Sequence, residues 1–241
     1  MKALVFNIRV NSLYSIRIPF TWQSALSYPI LPPSAILGLL ANALQRYKND
    51  RHPLEYLAWV EDNVLWAGSK LLNSCIIKNY VTSVIIKWEA NLGGKFTNAL
   101  GRQYVYSKNL QVAVIFKDNT LINNVVEAIK TTPLTCGDSE SPFSIVEEIV
   151  KKDVIEEHKE IIETSYPIPF TKNVKIIDGN GQVYLMHERC LRKENNFPLT
   201  SYMVPIIEEN NIIKPSLLKI KIERERVLNI EDIEDIVYKM E

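Results

Sequence analysis

Three prolines in five positions, Pro29, Pro32 and Pro33, stand directly ahead of the apolar run Ser34-Ala35-Ile36-Leu37-Gly38-Leu39-Leu40-Ala41-Asn42-Ala43-Leu44. Proline holds φ at about −65°, lacks an N–H and drives the preceding residue out of the helical region. The chain from Tyr28 to Pro33 must therefore run extended, and it cannot serve as an inner strand. A helix has to begin where the prolines end. Ser34 is expected to cap it by accepting an N–H of the first turn. Ile36, Leu40, Ala43, Leu44 and Tyr47 recur at helical spacing, which assigns one face to the core. Gly38, inside this helix, costs about 1 kcal/mol there and points to close approach of another backbone.

The segments on either side supply the rest of an α+β order. Ala3 to Val10 is rich in β-branched and aromatic residues and reads as a strand, and Leu13 to Ile18 extends it or folds back on it. Pro53 to Trp66 reads as a more polar second helix. Ile76 to Trp88 and Tyr104 to Phe116 read as strands, with a loop or hairpin tip at Gly93-Gly94 between them. Lys117-Asp118-Asn119-Thr120 reads as a turn with a helix cap, followed by a short helix from Leu121 to Lys130 that Pro133 ends. Cys136 to Pro142 is a glycine-containing loop. Phe143 to Val154 is ambiguous, with partly helical spacing but a strand-like start. In order, the first 155 residues read strand, helix, strand, strand, helix, strand, the order of a ferredoxin-like βαββαβ domain.

The C-terminal third differs. Tyr166-Pro167-Ile168-Pro169-Phe170 is extended, and Lys175 to Leu185 reads as a hairpin turning at Asp178-Gly179-Asn180-Gly181. Thr200 to Ile206 and Leu217 to Ile222 are further extended pieces, and Asn229 to Met240 reads as a short helix. The expected organisation is one domain over 1–155 and a β-rich extension over 156–241 packed on it.

Composition removes several function classes. Lysine plus arginine number 28 and aspartate plus glutamate 28, so any nucleic acid must be held by a local basic strip rather than by bulk charge. Cys75, Cys136 and Cys190 form no CxxC pair, which speaks against a zinc ribbon or a disulfide framework and for reduced thiols. Met1 to Val10 reads as a strand rather than a signal peptide, and no apolar run approaches the ~20 residues of a membrane span, so a cytoplasmic protein is expected. His52, His158 and His187 are scattered, and neither a Walker loop nor GxGxxG occurs, so no metal and no cofactor are expected. Gly137-Asp138-Ser139-Glu140-Ser141 lacks the closing glycine of a nucleophile elbow and follows a helix rather than a strand. A turn held by Asp138 and Ser139, or a backbone nest for a phosphate oxygen, suits it better.

One pattern points to a ligand. Lys87-Trp88, Lys95-Phe96 and Arg102-Gln103-Tyr104 interleave cations with aromatics around a glycine-rich tip. Single-stranded RNA is held by such pairs, because aromatics stack on bases while cations meet phosphates. A hairpin with one aromatic face on the core and one cationic face in water accounts for the same spacing.

The stretch from Tyr28-Pro29 through Pro32-Pro33-Ser34-Ala35-Ile36-Leu37-Gly38-Leu39-Leu40, followed by Gly137-Asp138-Ser139-Glu140-Ser141, resembles the fifth Cas-protein family. This is the RAMP-type subunit of type I CRISPR interference complexes (Cascade), and the likeness is greatest to the archaeal type I-A branch. It covers most of 1–155. It implies a ferredoxin-like (RAMP/RRM-like) domain with a β-hairpin thumb around 76–106 and a variable C-terminal part. It implies binding of the CRISPR RNA 5′ handle and capping of a filament of the seventh Cas family, with a large subunit nearby and no membrane. The RNA-binding residues implied are Lys87, Trp88, Lys95, Arg102 and Tyr104 on the thumb, and Gly137, Asp138 and Ser139 in the loop. One branch of the family cuts precursor RNA with a tyrosine, a lysine and a histidine. Tyr47 is the candidate for that tyrosine, but the chain has no Lys-His dipeptide, so the expectation is a binding subunit with no catalytic residues. A metal-independent endoribonuclease and a ferredoxin-like scaffold without RNA remain the alternatives.

Overall fold

The first strand, β1 (Lys2–Val10), is buried on both faces, so its sequence is apolar almost throughout instead of alternating. Leu4, Phe6 and Ile8 face a layer of helices, while Ala3 and Val5 face a second layer built by the C-terminal strands. The computed structural model describes residues 1–21, 24–89, 94–117, 119–135, 141–190, 199–223 and 225–238, and for 82–89 and 94–100 the backbone alone. After β1 come β2 (Ser24–Ala25), α1 (Pro33–Lys48), α2 (Pro53–Asn63), β3 (Val64–Leu71), β4 (Cys75–Glu89), β5 (Gly94–Ser107), β6 (Asn109–Phe116), α3 (Ile122–Thr131), β7 (Leu134–Thr135) and β8 (Pro142–Glu157). The C-terminal part contributes β9 (Ile161–Thr164), β10 (Ile168–Pro169), β11 (Val174–Asp178), β12 (Gln182–His187), β13 (Leu199–Val204), β14 (Ile206–Glu209), β15 (Ile212–Pro215), β16 (Leu218–Ile222), β17 (Arg226–Ile230) and β18 (Asp235–Tyr238).

The main sheet runs β18-β17-β8-β1-β6-β3 with every neighbouring pair antiparallel, and β7 pairs with β8 off this path. The chain leaves β1 and reaches β3 through α1 and α2, and it leaves β6 and reaches β8 through α3. Helix α1 packs on α2 and α3. Ile36, Leu37, Leu40 and Leu44 are fully buried against Phe6, Val112 and Phe116. Burial of each such side chain is worth about 1.5–3 kcal/mol.

Several expectations change. The N-cap of α1 is Pro32, without a side-chain hydrogen bond, and Ser34 lies inside the first turn. The Pro32 carbonyl accepts the N–H groups of Ala35 and Ile36 instead. The N-cap position of α3 is Leu121, which makes no side-chain capping hydrogen bond, and Asp118 of the expected capping turn lies outside the described residues. Tyr47 leaves the apolar face and is 45% exposed. Helix α2 stops at Asn63, and Val64 to Leu71 is the edge strand that pairs with β6, so the helix expected to reach Trp66 is shorter. The strand expected over Tyr104 to Phe116 is two strands that break at Lys108 and belong to different sheets.

Lys175 to Leu185 is not a hairpin. β11 pairs with β16, and β12 pairs with β13, so the turn between them is a corner from one three-stranded sheet to another. Gly179 has φ +96° there, and a Cβ would lie 2.1 Å from the Leu217 carbonyl oxygen, so glycine is required. Asn229 to Met240 is not a helix over its described part. β17 turns through Asp232, at φ 57°, into β18, and β17 pairs with β8, which extends the main sheet.

The second face of the sheet is closed by a polar and aromatic clamp. The Trp66 and Tyr166 rings meet edge to face at 5.6 Å, and the Tyr166 hydroxyl donates to Gln111 Oε1 at 2.9 Å. Lys70 pairs with Glu234 and donates to Ser165 Oγ at 3.1 Å, with its Nζ 4.7 Å from the Tyr166 ring centroid. The Ser165 N–H donates to Glu234 Oε2 at 2.7 Å. Burial raises the Glu234 carboxyl, but the bonds from Lys70 and Ser165 outweigh it and hold it below its ordinary value.

Gly38 is not explained by close approach, because apart from its chain neighbours and its own helix backbone no described atom lies within 4 Å of where its Cβ would stand. Gly38→Ala is therefore expected to stabilise the protein by about 0.5–1 kcal/mol through helix propensity. Chemical denaturation measures it, and a loss of stability would mean that the gap is used by something outside these contacts.

Candidate nucleic-acid interface

The hairpin β4–β5 is inserted between β3 and β6 of the main sheet. Its base is held on both sides within a second sheet of order β14-β15-β4-β5-β2. β15 pairs with Cys75 and Ile76, β2 pairs with Gly101 and Arg102, and Tyr14 bridges to Val105. Beyond these contacts the two strands pair, among the described residues, with each other, as far as Glu89 opposite Gly94. The result is an arm with a rigid root.

Strand alternation sorts the root into two faces. Cys75 and Val105 are buried on the inner face. Lys78 lies opposite Tyr104, Tyr80 opposite Arg102 and Ile76 opposite Tyr106, and these six share the outer face. The Tyr80 and Tyr104 rings are 5.6 Å apart and nearly perpendicular, at 78°. The Arg102 guanidinium sits 4.9 Å from the Tyr104 ring centroid, and its Nε donates to Ser15 Oγ at 3.2 Å. Tyr80 is 49% exposed and Tyr106 55%. Exposed aromatic rings flanked by cations can stack on bases while the charges meet phosphates.

Of the residues singled out from sequence, Arg102 and Tyr104 are brought together here. Lys87 lies opposite Phe96 and Trp88 opposite Lys95 farther out on the arm, past a register shift between Ile85 and Lys87. Gly137, Asp138 and Ser139 lie outside the described residues. The chain resumes at Ser141, which is buried and donates to the Leu13 carbonyl at 3.0 Å, so the end of that loop is tied to the segment after β1. Lys78, Tyr80 and Tyr106 escaped the sequence reading. The signal that finds them is the alternation in Lys78-Asn79-Tyr80 and Tyr104-Val105-Tyr106, once the two strands are set in register.

Behind the inner face lies a cavity of about 290 Å³. Ile18, Ile77, Ile213 and Tyr184 give it apolar walls, and Asn79, Gln103 and Glu208 add polar groups. Burial, then the nearby Glu208 carboxylate, pushes both the Tyr184 hydroxyl and the Cys75 thiol up to about 12, so each stays protonated at neutral pH. Among the described residues, no group of three or more His, Cys, Asp or Glu is placed to hold a metal ion.

Comparison with known proteins bears on the whole chain. The model of a family described as CRISPR-associated protein (Cas_Cas5) matches residues 7–166, more than half of the sequence. No curated protein matches it. Among solved structures, a CRISPR protein from Archaeoglobus fulgidus is similar with a TM-score of 0.66 at 15% identity, over 100% of both chains. A chain of the Type III-B Cmr-beta complex, solved bound to cognate target RNA and AMPPnP, is similar with a TM-score of 0.51 at 12% identity, over 91% of this chain and 86% of that one. At these identities the likeness is one of fold.

Proposed function

Because this chain belongs to the CRISPR-associated protein family Cas5, we propose that it is a non-catalytic CRISPR RNA-binding subunit of a type I (Cascade) interference complex. The observation that carries this reading is the outer face of the rooted arm, where Tyr80, Tyr104 and Tyr106 stand beside Lys78 and Arg102. The RNA bound is the 5′ handle, and the partner is the filament subunit of the seventh Cas family, whose end this protein caps. The core is a ferredoxin-like RAMP domain. Its support is the order of β8, β1, β6 and β3 across the sheet, which in chain order is fourth, first, third, second. The arm is the thumb of that domain.

No cleavage step is assigned. Tyr47 is surface-exposed in the last turn of α1, and the nearby His52 has a structural task, its Nδ1 accepting the Leu54 N–H at 3.3 Å as the N-cap of α2. General acid–base cleavage of RNA needs a histidine free to reach the scissile phosphate.

The test is fluorescence anisotropy with CRISPR RNA carrying or lacking its 5′ handle, using the protein alone and with its filament subunit. Tighter binding to the handle-bearing RNA is expected, and it should weaken steeply with salt as released counterions are paid back to the backbone. Equal or absent binding of both RNAs overturns the assignment. Repeat RNA incubated without metal should stay intact, and cleavage would revive the endoribonuclease reading.

A further inference from the structure

We infer that Asn180 is a self-modification site: the backbone nitrogen of Gly181 attacks its side-chain amide, and the isoaspartate that results unseats the start of β12. Asn180-Gly181 is the only Asn-Gly pair in the sequence. Glycine hinders this attack least, because no Cβ shields its nitrogen. The corner between β11 and β12 leaves both reacting groups available. Asn180 is exposed and Gly181 partly so. Among the described residues, neither the Asn180 side chain nor the Gly181 N–H makes a hydrogen bond, so hydroxide can reach that proton. The pair just before it, Asp178-Gly179, is a contrast within the same corner. Its glycine N–H donates to Asp178 Oδ1 at 2.8 Å, and an ionised carboxylate accepts that bond rather than yielding to a nucleophile.

The step balances with water as the co-reactant. Hydroxide takes the Gly181 amide proton, and the nitrogen's electron pair forms a bond to Asn180 Cγ. The Cγ–Nδ2 bond breaks, and its nitrogen leaves as ammonia with a proton from water. Water then opens the succinimide ring. Breaking the ring bond at Cγ leaves aspartate in an ordinary chain. Breaking it at the main-chain carbonyl leaves isoaspartate, whose backbone runs through Cβ and Cγ and is one atom longer. The corner has no space for that atom. A Cβ on Gly181 would stand 2.6 Å from Met203 Sδ and 2.9 Å from the Val204 carbonyl oxygen. Immediately beyond, Gln182 pairs with Val204 and Val183 with Met203. A longer chain must push Gly181 into that wall or slide β12 along β13, and a slide turns core-facing side chains outward. The packing that demands glycine at 181 therefore also keeps the labile pair in place.

The experiment incubates the folded full chain at pH 7 and at pH 9 and follows position 180 by peptide mass mapping, with electron-transfer fragmentation to tell isoaspartate from aspartate. Asn180 should be lost ahead of every other asparagine, and faster at pH 9, because the nucleophile is the deprotonated nitrogen. The aged protein should gain a lower-melting fraction that grows with its isoaspartate content. Asn180→Ser has no amide to attack and should age without that fraction. Asn180→Asp carries the new charge in a chain of ordinary length, and when fresh it should melt like fresh wild type. Asn180 that survives while other asparagines react overturns the proposal, as does its loss only in urea, where the corner is gone. Isoaspartate at 180 with unchanged melting overturns the displacement of β12. So does a fresh N180D protein that melts as low as the aged fraction, which would assign the loss to charge.

Discussion

Replacing Lys70 with methionine is expected to cost about 3 kcal/mol of stability, because it leaves the Glu234 carboxylate buried without its cation. The two side chains are 13% and 18% exposed, and Lys70 also lies over the Tyr166 ring. In a domain of this size that loss corresponds to a fall in Tm of roughly 6–12 °C. The double variant K70M/E234L removes both charges and should recover part of the difference, because it also removes the acceptor of the Ser165 N–H. The dependence on pH has opposite signs in the two proteins. In the wild type the Glu234 carboxyl is held below its ordinary value of 4.5, so its contribution is full above that pH and is lost as pH falls through the depressed value. In K70M burial acts without its main opponent and raises the carboxyl, so the deficit should shrink on acidification. Thermal melts of the three proteins from pH 4 to pH 8 measure this. A K70M protein as stable as wild type at neutral pH would mean that the C-terminal layer is held by its apolar contacts alone.

Alanine at Tyr80 or Tyr104 is expected to weaken RNA binding by about tenfold each, since one stacked base is worth about 1–3 kcal/mol. The rings touch, so the double variant should lose less than the product of the two. Both residues lie on the outer face, and Tyr80 is half exposed, so Tm should move little. Stacking and charge separate by salt. The tyrosine variants should keep the wild-type slope of log affinity against log salt, whereas Arg102→Gln should flatten it by about one phosphate contact. Anisotropy at several salt concentrations measures all four proteins. Unchanged affinity in the tyrosine double variant would remove the outer face as the RNA surface.

The parts of the fold that were legible are those in which local chemistry and tertiary packing agree. Proline placement and helical spacing announce α1, and β-branched density announces β1 and β4. The failures have physical causes. β3 follows α2 with no turn residue between them, and Trp66-Ala67-Gly68-Ser69-Lys70 carries no clean period-2 alternation, because both of its faces meet other layers. Ile230, Ile233 and Val237 are spaced as on a helix, yet Asp232 in a left-handed conformation and pairing with β8 make that segment a strand pair. Gly179 looks like a hairpin turn because a sheet corner and a hairpin need the same backbone freedom, and pairing with β16 or β13 decides between them.

The sequence by itself determined the α+β order, the extended proline lead into α1, the absence of bulk basic charge and the cation–aromatic composition of the β4–β5 arm, since each depends on neighbours within a few positions. Only the tertiary structure decided which aromatic residues share a face, because cross-strand register is a relation between distant segments. The same holds for the cavity, whose walls come from residues as far apart as Ile18 and Ile213, and for the Lys70–Glu234 clamp, whose partners meet only once the C-terminal strands cover the sheet.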